Sequence, residues 1–287
     1  EGYDSFGLMK QAAWQMTQKI EQIYERKNVS TSHSTNTNVY HRSVHPRRAS
    51  IWVGKGNNGG DGWLIAHYLQ QAGWQIEVIT VGFSENDFDI HDQPVTPNNG
   101  DSDSSNITDA IKALQIALAS SCHYQRFEDT TNDDDANKIN LPADIYIDAL
   151  FGIGLDRAPE GAYKAAIKAF NNFTQQNNVL AISVDIPSGL VASTGEVFEH
   201  IAIQADVTLC LITRKFGLHT KDGTDYSGDV VDIPLIPYQK ACQQIASHHM
   251  VAEKNAIQAF TPVATLLTAA HSMSPRRQNS YKGSYGH

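Results

Sequence analysis

The chain has 287 residues, 41% apolar and 18% charged, enough apolar content for a packed core and a poor match to a disordered protein. With 22 Lys and Arg against 31 Asp and Glu, its net charge is −9, and without a Lys/Arg stripe it is a weak candidate for binding nucleic acid or an anionic membrane. No apolar run nears the roughly 18–20 residues that span a bilayer, and the widely spaced Cys122, Cys210 and Cys242 form neither a CxxC pair nor a disulfide framework, which points to a reducing cytoplasm.

The chain opens Glu1-Gly2-Tyr3-Asp4, with no initiator Met and none of the basic or apolar character of a signal peptide, so residues before Glu1 are expected. Leu8, Met9, Ala12, Ala13, Met16, Ile20 and Ile23 recur at spacings of three and four and predict a helix over 5–27. Residues 28–49 read as a polar loop. Its histidines, His33, His41 and His45, have no Cys or carboxylate at ligand spacing, so a solvated connector is expected rather than a metal site.

Ile51-Trp52-Val53 reads as a buried strand. It is followed by a glycine-rich turn at 54–62, a helix from about Asp61 to Ala72 stopped by Gly73, and a strand over 75–81, which together make one parallel βαβ unit. A polar surface loop over 84–106 precedes a helix at 107–120, marked by Ile107, Ile111, Leu114, Ile116 and Leu118. An acidic turn at 128–137 leads to a strand at 144–149, a helix at 161–173, strands at 179–184 and 207–212, and an edge strand at 230–233. This alternation predicts an α/β fold: a three-layer α/β/α sandwich around a Rossmann-like, mostly parallel sheet. After Pro237, residues 239–273 read as a helical linker, with Thr261-Pro262 at a helix start, and residues 274–287 as a polar, basic tail.

The strongest chemical signal is Gly54-Lys55-Gly56-Asn57-Asn58-Gly59-Gly60-Asp61-Gly62, placed between a strand and a helix start, where backbone N–H groups and the helix dipole favour an anion. It contains a GxGxxG pattern, but the second strand ends Ile79-Thr80-Val81-Gly82 without the acid an ordinary dinucleotide-binding dehydrogenase requires. Asn57, Asn58 and Asp61 add side-chain oxygens that simple phosphate cradling does not need. Asp148 and Asp185 each close an apolar strand ahead of a turn, in Asp148-Ala149-Leu150-Phe151-Gly152-Ile153-Gly154-Leu155 and Asp185-Ile186-Pro187-Ser188-Gly189. In an open parallel sheet these strand ends share one ligand-binding edge. Lys215, after the strand at 207–212, faces either that edge or solvent.

Taken together, these runs, with Lys215-x-Gly217-Leu218, resemble the NAD(P)H-hydrate epimerase (YjeF N-terminal) family over roughly residues 5–237. The tail Pro275-Arg276-Arg277-x-x-Ser280-x-Lys282-Gly283-x-x-Gly286 looks like the start of the ribokinase-like, ADP- or ATP-dependent dehydratase domain of bifunctional members. The resemblance implies an epimerase domain over 1–238, a linker over 239–273 and a truncated dehydratase start over 274–287, with no dehydratase activity. It implies interconversion of the R and S hydrates of NADH and NADPH, a homodimer whose interface the apolar N-terminal helix could supply, and a potassium ion held by Asn58, Asp148 and Ser188. It also implies substrate contacts from Asn57, Asn58, Gly59, Gly60, Asp61, Gly152, Ile153, Gly154, Leu155, Asp156, Arg157, Ala158 and Asp185. Ile153 replaces the small Thr or Ser frequent in the family, and Asp156 puts a negative charge where phosphates are expected.

Inverting a carbinol centre beside a ring nitrogen moves a proton on and off oxygen, and Asp185 is the expected acid–base. Asp148, read as lying at a strand end, is expected to tolerate truncation to Ala with the fold intact. Two other functions stay open at this point: a non-catalytic binding or scaffold module of the same fold, which the presence of all the motif acids argues against, and an NAD-dependent oxidoreductase, which the missing strand-end acid argues against.

Overall fold

A computed structural model describes residues 4–32, 46–88, 107–128 and 142–235. Among the described residues the strands are β1 (Arg48–Val53), β2 (Gln75–Thr80), β3 (His123–Arg126), β4 (Ile145–Ala149), β5 (Leu180–Val184), β6 (Val207–Leu211) and β7 (Asp229–Ile233). They form one sheet in the order β3-β2-β1-β4-β5-β6-β7. Every neighbouring pair is parallel, so the sheet is wholly rather than mostly parallel. The helices are α1 (Ser5–Ser32), α2 (Asn57–Gln71), α3 (Asp109–Ala119), α4 (Gly161–Asn177) and the single turn α5 (Gly223–Tyr226).

A parallel sheet must be covered on both faces, and β4 and β5 accordingly are buried at every position. Met16 and Ile20 of α1, Leu64 and Leu69 of α2 and Leu114 of α3 pack on Ile51, Val53, Ile147 and Ile182. On the opposite face Ile167 and Phe170 of α4 pack on Trp52, Ile79 and Tyr146. The Trp52 and Phe170 rings meet edge-to-face at 5.7 Å, an arrangement worth about 0.5–1.5 kcal/mol beyond area burial. The helix α2 stops at Gly73, whose φ of +85° lets its N–H reach Gln70 O while Trp74 N–H reaches Leu69 O, both at 3.0 Å.

Several boundaries differ from the sequence reading, and one strand was not foreseen. Helix α2 starts at Asn57 rather than near Asp61: Gly56 is extended and its carbonyl accepts Gly60 N–H at 3.1 Å, so the glycine-rich run is itself the first helical turn. Helix α1 runs five residues past the predicted end. Strand β1 begins at Arg48, inside the expected loop, where Arg48 N–H donates to Asp144 Oδ2 at 2.8 Å. Strand β3, His123-Tyr124-Gln125-Arg126, was missed because an edge strand without an apolar run gives no period-two signal.

The helix expected to supply a dimer interface also packs within the chain. The apolar stripe of α1 is consumed within the chain: Ala12, Ala13, Met16 and Ile20 are buried against α2 and the sheet. Among the described residues no helix is long and apolar enough to cross a membrane. The His33–His45 loop, Cys242, Thr261-Pro262, the linker and the tail lie outside the described residues.

Candidate active site

The sheet order reverses between β1 and β4, so the loops leaving these two strands diverge and open a crevice at the carboxyl edge. A cleft of about 720 Å³ lies there, bounded by the start of α2, the segment 150–160 after β4, Tyr163 of α4 and Asp185 after β5. Of the residues expected to touch substrate, Asn57, Asn58, Asp61, Gly152, Ile153, Gly154, Leu155, Asp156, Arg157, Ala158 and Asp185 line it. Gly59 and Gly60 face elsewhere. A Cβ on Gly59 would lie 1.8 Å from Gly54 O, and one on Gly60 would lie 3.0 Å from Ala110 Cα, so both serve helix packing.

No side chain caps the N-terminus of α2. Its first N–H groups therefore lack intrahelical partners at the cleft wall, with the positive end of the helix dipole behind them. Sequence reasoning did not foresee the Phe151–Tyr163 ring pair, with centroids 4.6 Å apart and both rings at the cleft. Ile153, which also lines the cleft, is an apolar side chain 63% exposed.

Two carboxyl groups share the cleft in different environments. Asp61, in the first turns of α2, is buried and accepts no hydrogen bond from any described group. Burial, and secondarily the charge of Asp185, push its pKa from 3.8 to about 8. Asp185 instead sits on a left-handed backbone with φ of +66°, and its Oδ1 receives Leu211 N–H at 3.1 Å and the Lys215 ammonium. Burial thus favours the proton-bearing form of Asp61, whereas Asp185, the residue expected to act as acid–base, is ion-paired with Lys215. Lys215 was visible in the sequence, but nothing local indicated a partner 30 residues away.

At the cleft wall Asn58 and Ser188 meet at the peptide of Phe151, and Ser188 links it to Asp148. Asn58 Nδ2 donates to Phe151 O at 2.6 Å, and Ser188 Oγ receives Phe151 N–H at 2.8 Å and donates to Asp148 Oδ1 at 2.6 Å. Asp148 is fully buried rather than lying at a solvent edge. Its Oδ1 also receives Leu150 N–H at 3.2 Å, and its Oδ2 receives Ser183 Oγ–H and Ser188 N–H, each at 2.9 Å. Burial raises its pKa against these hydrogen bonds, and no described cationic side chain pairs with it. The described residues hold no cluster of three His, Cys, Asp or Glu. The carboxylate, hydroxyl and backbone carbonyl gathered here offer oxygen, as a hard cation of low charge requires, while Asn58 presents its amide nitrogen to Phe151 O and would have to turn its amide oxygen inward to join them.

The profile of the YjeF-related protein N-terminus family matches residues 5–217. The NAD(P)H-hydrate epimerase of Limosilactobacillus reuteri (strain DSM 20016) is 34% identical over 181 residues, which are 63% of this chain and 70% of that protein. That of Pirellula staleyi is 32% identical over 187 residues, 64% of this chain and 70% of that one. The bifunctional NAD(P)H-hydrate repair enzyme Nnr of Moorella thermoacetica is 33% identical over 248 residues, covering 85% of this chain but 39% of that protein. The crystal structure of yeast ynu0 superposes with a TM-score of 0.52 at 17% identity, over 80% of this chain and 79% of the other, and shares the fold.

Proposed function

The chain belongs to the YjeF-related protein N-terminus family, and from that membership and the cleft we infer an NAD(P)H-hydrate epimerase, an isomerase that interconverts the R and S hydrates of NADH and NADPH. The observation that carries the mechanism is that a buried Asp61 carboxyl without a hydrogen-bond partner and a lysine-bound Asp185 share one cleft, burial favouring the protonated form of Asp61. In the hydrate, the inverting carbon bears a hydroxyl and bonds the ring nitrogen. Asp185 takes the hydroxyl proton as the carbon–nitrogen bond breaks, and Asp61 gives its proton to that nitrogen. The product is an aldehyde and a ring-opened enamine. Rotation about the adjacent carbon–carbon bond presents the other aldehyde face; the nitrogen re-attacks, Asp61 recovers its proton and Asp185 returns the first one. Atoms and charge balance, and each carboxyl group ends as it began. The uncapped start of α2 is suited to the substrate's phosphates, and the Phe151–Tyr163 pair to a planar ring.

A potassium ion held by Asn58, Asp148 and Ser188 belongs to the same reading. It is supported by the oxygens of Asp148, Ser188 and the Phe151 carbonyl and by a buried carboxylate without a cationic side-chain partner; Asn58 would join with its amide turned over. Bound there, the ion would neutralise Asp148 and hold the segment after β4 in place. Potassium, but not tetramethylammonium, then raises the melting temperature of the wild type and not of Asp148→Asn; equal melting in both salts overturns the ion site.

The remaining assignments are an epimerase domain over 1–238, a linker over 239–273 and the start of a dehydratase domain over 274–287, supported by the match to a bifunctional relative over 248 residues. Cytoplasmic residence is supported by the free Cys122 and Cys210. A homodimer would use a face other than the buried stripe of α1, and Trp14, 53% exposed on that helix, is a candidate contact. Chiral chromatography of a pure R hydrate incubated with the protein tests the central claim. Enzyme-dependent appearance of the S hydrate is expected, with loss of at least about 100-fold in Asp61→Asn. An Asp61→Asn variant as fast as the wild type excludes Asp61 as the acid.

A further inference from the structure

Lys215 lies at the same sheet edge but does not line the cleft, and its surroundings are unusual for a loop lysine. Its side chain is 16% exposed and that of Asp185 13% exposed, so the ion pair is largely withdrawn from water. The ammonium also donates to Leu211 O at 2.9 Å and lies 3.7 Å from Cys210 Sγ. All described hydrogen bonds to the Asp185 side chain fall on Oδ1, from Lys215 and from Leu211 N–H, which leaves Oδ2 free. The backbone is bent to produce this. Ile212, a β-branched residue, has φ of +63° and is 62% exposed, so no burial of its side chain offsets a strain of about 1–3 kcal/mol. That bend, with Thr213 N–H on Leu211 O at 2.7 Å, folds the chain back so that Lys215 reaches the end of β6.

We propose that Lys215 is a positioning residue for the epimerisation: by clamping Oδ1 of Asp185 it fixes that carboxylate and turns Oδ2 toward substrate. The proposal rests on the epimerase reading. Breaking a buried pair on one side leaves an uncompensated charge, so without Lys215 the Asp185 carboxylate loses its fixed orientation and its uptake of a proton is favoured. The other ionisable groups around Asp185 are few. Asp61 faces it from α2 and Cys210 from β6, where burial pushes the thiol up and Lys215 pulls it down. Asp156, Arg157, Glu160 and Tyr163 line the same cleft.

The test compares Lys215→Met, Lys215→Arg, Asp185→Asn and the double variant Asp185→Asn/Lys215→Met in the full chain. Rates are read by chiral chromatography, melting temperature reports folding, and carbon-13 NMR of the Asp185 carboxyl provides a readout independent of activity. In Lys215→Met, kcat falls at least about 100-fold, KM changes by less than about threefold, and both the acid limb of the rate profile and the NMR titration of Asp185 move up by at least about one pH unit. Lys215→Arg keeps the acid limb near its wild-type position. The double variant melts above Lys215→Met, because no unpaired buried charge remains, and is no slower than Asp185→Asn. An unmoved Asp185 titration in folded Lys215→Met overturns the proposal. So does a double variant much slower than Asp185→Asn, which would put Lys215 on the substrate itself. Should Lys215→Met fail to fold, Lys215→Arg and the double variant decide. A wild type that folds and titrates as expected but does not epimerise refutes the functional reading and leaves the clamp standing.

Discussion

At Asp61, function and stability oppose each other. A carboxyl whose pKa rises from 3.8 in the open chain to about 8 in the fold binds its proton more tightly when folded. Between those values the unfolded chain carries fewer protons, so the contribution to stability is complete below about pH 4 and is lost as pH rises toward 8. Asp61→Asn removes this liability. Urea unfolding should show the variant matching the wild type near pH 4 and gaining on it by up to about 1.4 kcal/mol per pH unit as pH approaches 8. The same proton sets activity, so wild-type kcat/KM should fall above about pH 8. Asp148 behaves differently. Truncation to Ala strands four donors, the hydroxyls of Ser183 and Ser188 and the N–H groups of Leu150 and Ser188, in a fully buried pocket. A loss of about 3–5 kcal/mol by thermal or urea unfolding is the expected outcome, against the tolerance its strand-end position had suggested. An Asp148→Ala protein melting within two degrees of the wild type would show the network to be dispensable.

At the level of elements, the start of α2 carries the site, and its glycines divide by what surrounds them. Gly59 lies against the backbone of Gly54, so Gly59→Ala forces the helix away from β1, with an expected destabilisation of about 3 kcal/mol. Gly56 has φ of −80° and open space around its Cβ position. Gly56→Asp supplies the missing cap and should stabilise the fold by roughly 0.3 kcal/mol. It also places a carboxylate at the helix end proposed to take the substrate's phosphates, so KM should rise while the melting temperature does not fall. A Gly56→Asp variant with unchanged KM would remove the helix end from the binding site.

Across the whole molecule, the sheet grades from a buried centre to exposed edges. Strands β4 and β5 are buried at every position, while β3 has none buried and β7 only Ile233. Amide hydrogen exchange should be slowest in β1, β4 and β5 and faster in β3 and β7, and equal protection throughout would contradict this gradient. Much of this architecture was legible in residue order. Apolar runs such as Ile145-Tyr146-Ile147 and Leu180-Ala181-Ile182 announce buried parallel strands because both of their faces must be covered, and helical periodicity between them dictates the layers. The ligand edge was legible too, since polar turns after β1, β4 and β5 must emerge on the same side of a parallel sheet. Strand β3 and the true start of α2 were not: a polar edge strand lacks periodicity, and glycines read as turn until packing against Gly54 makes a helix of them. The contrast between a buried, unpartnered Asp61 and a lysine-bound Asp185 lay beyond the sequence as well, because burial and charged neighbours are set only by folding, and Lys215 becomes a neighbour of Asp185 only when β5 and β6 pair side by side.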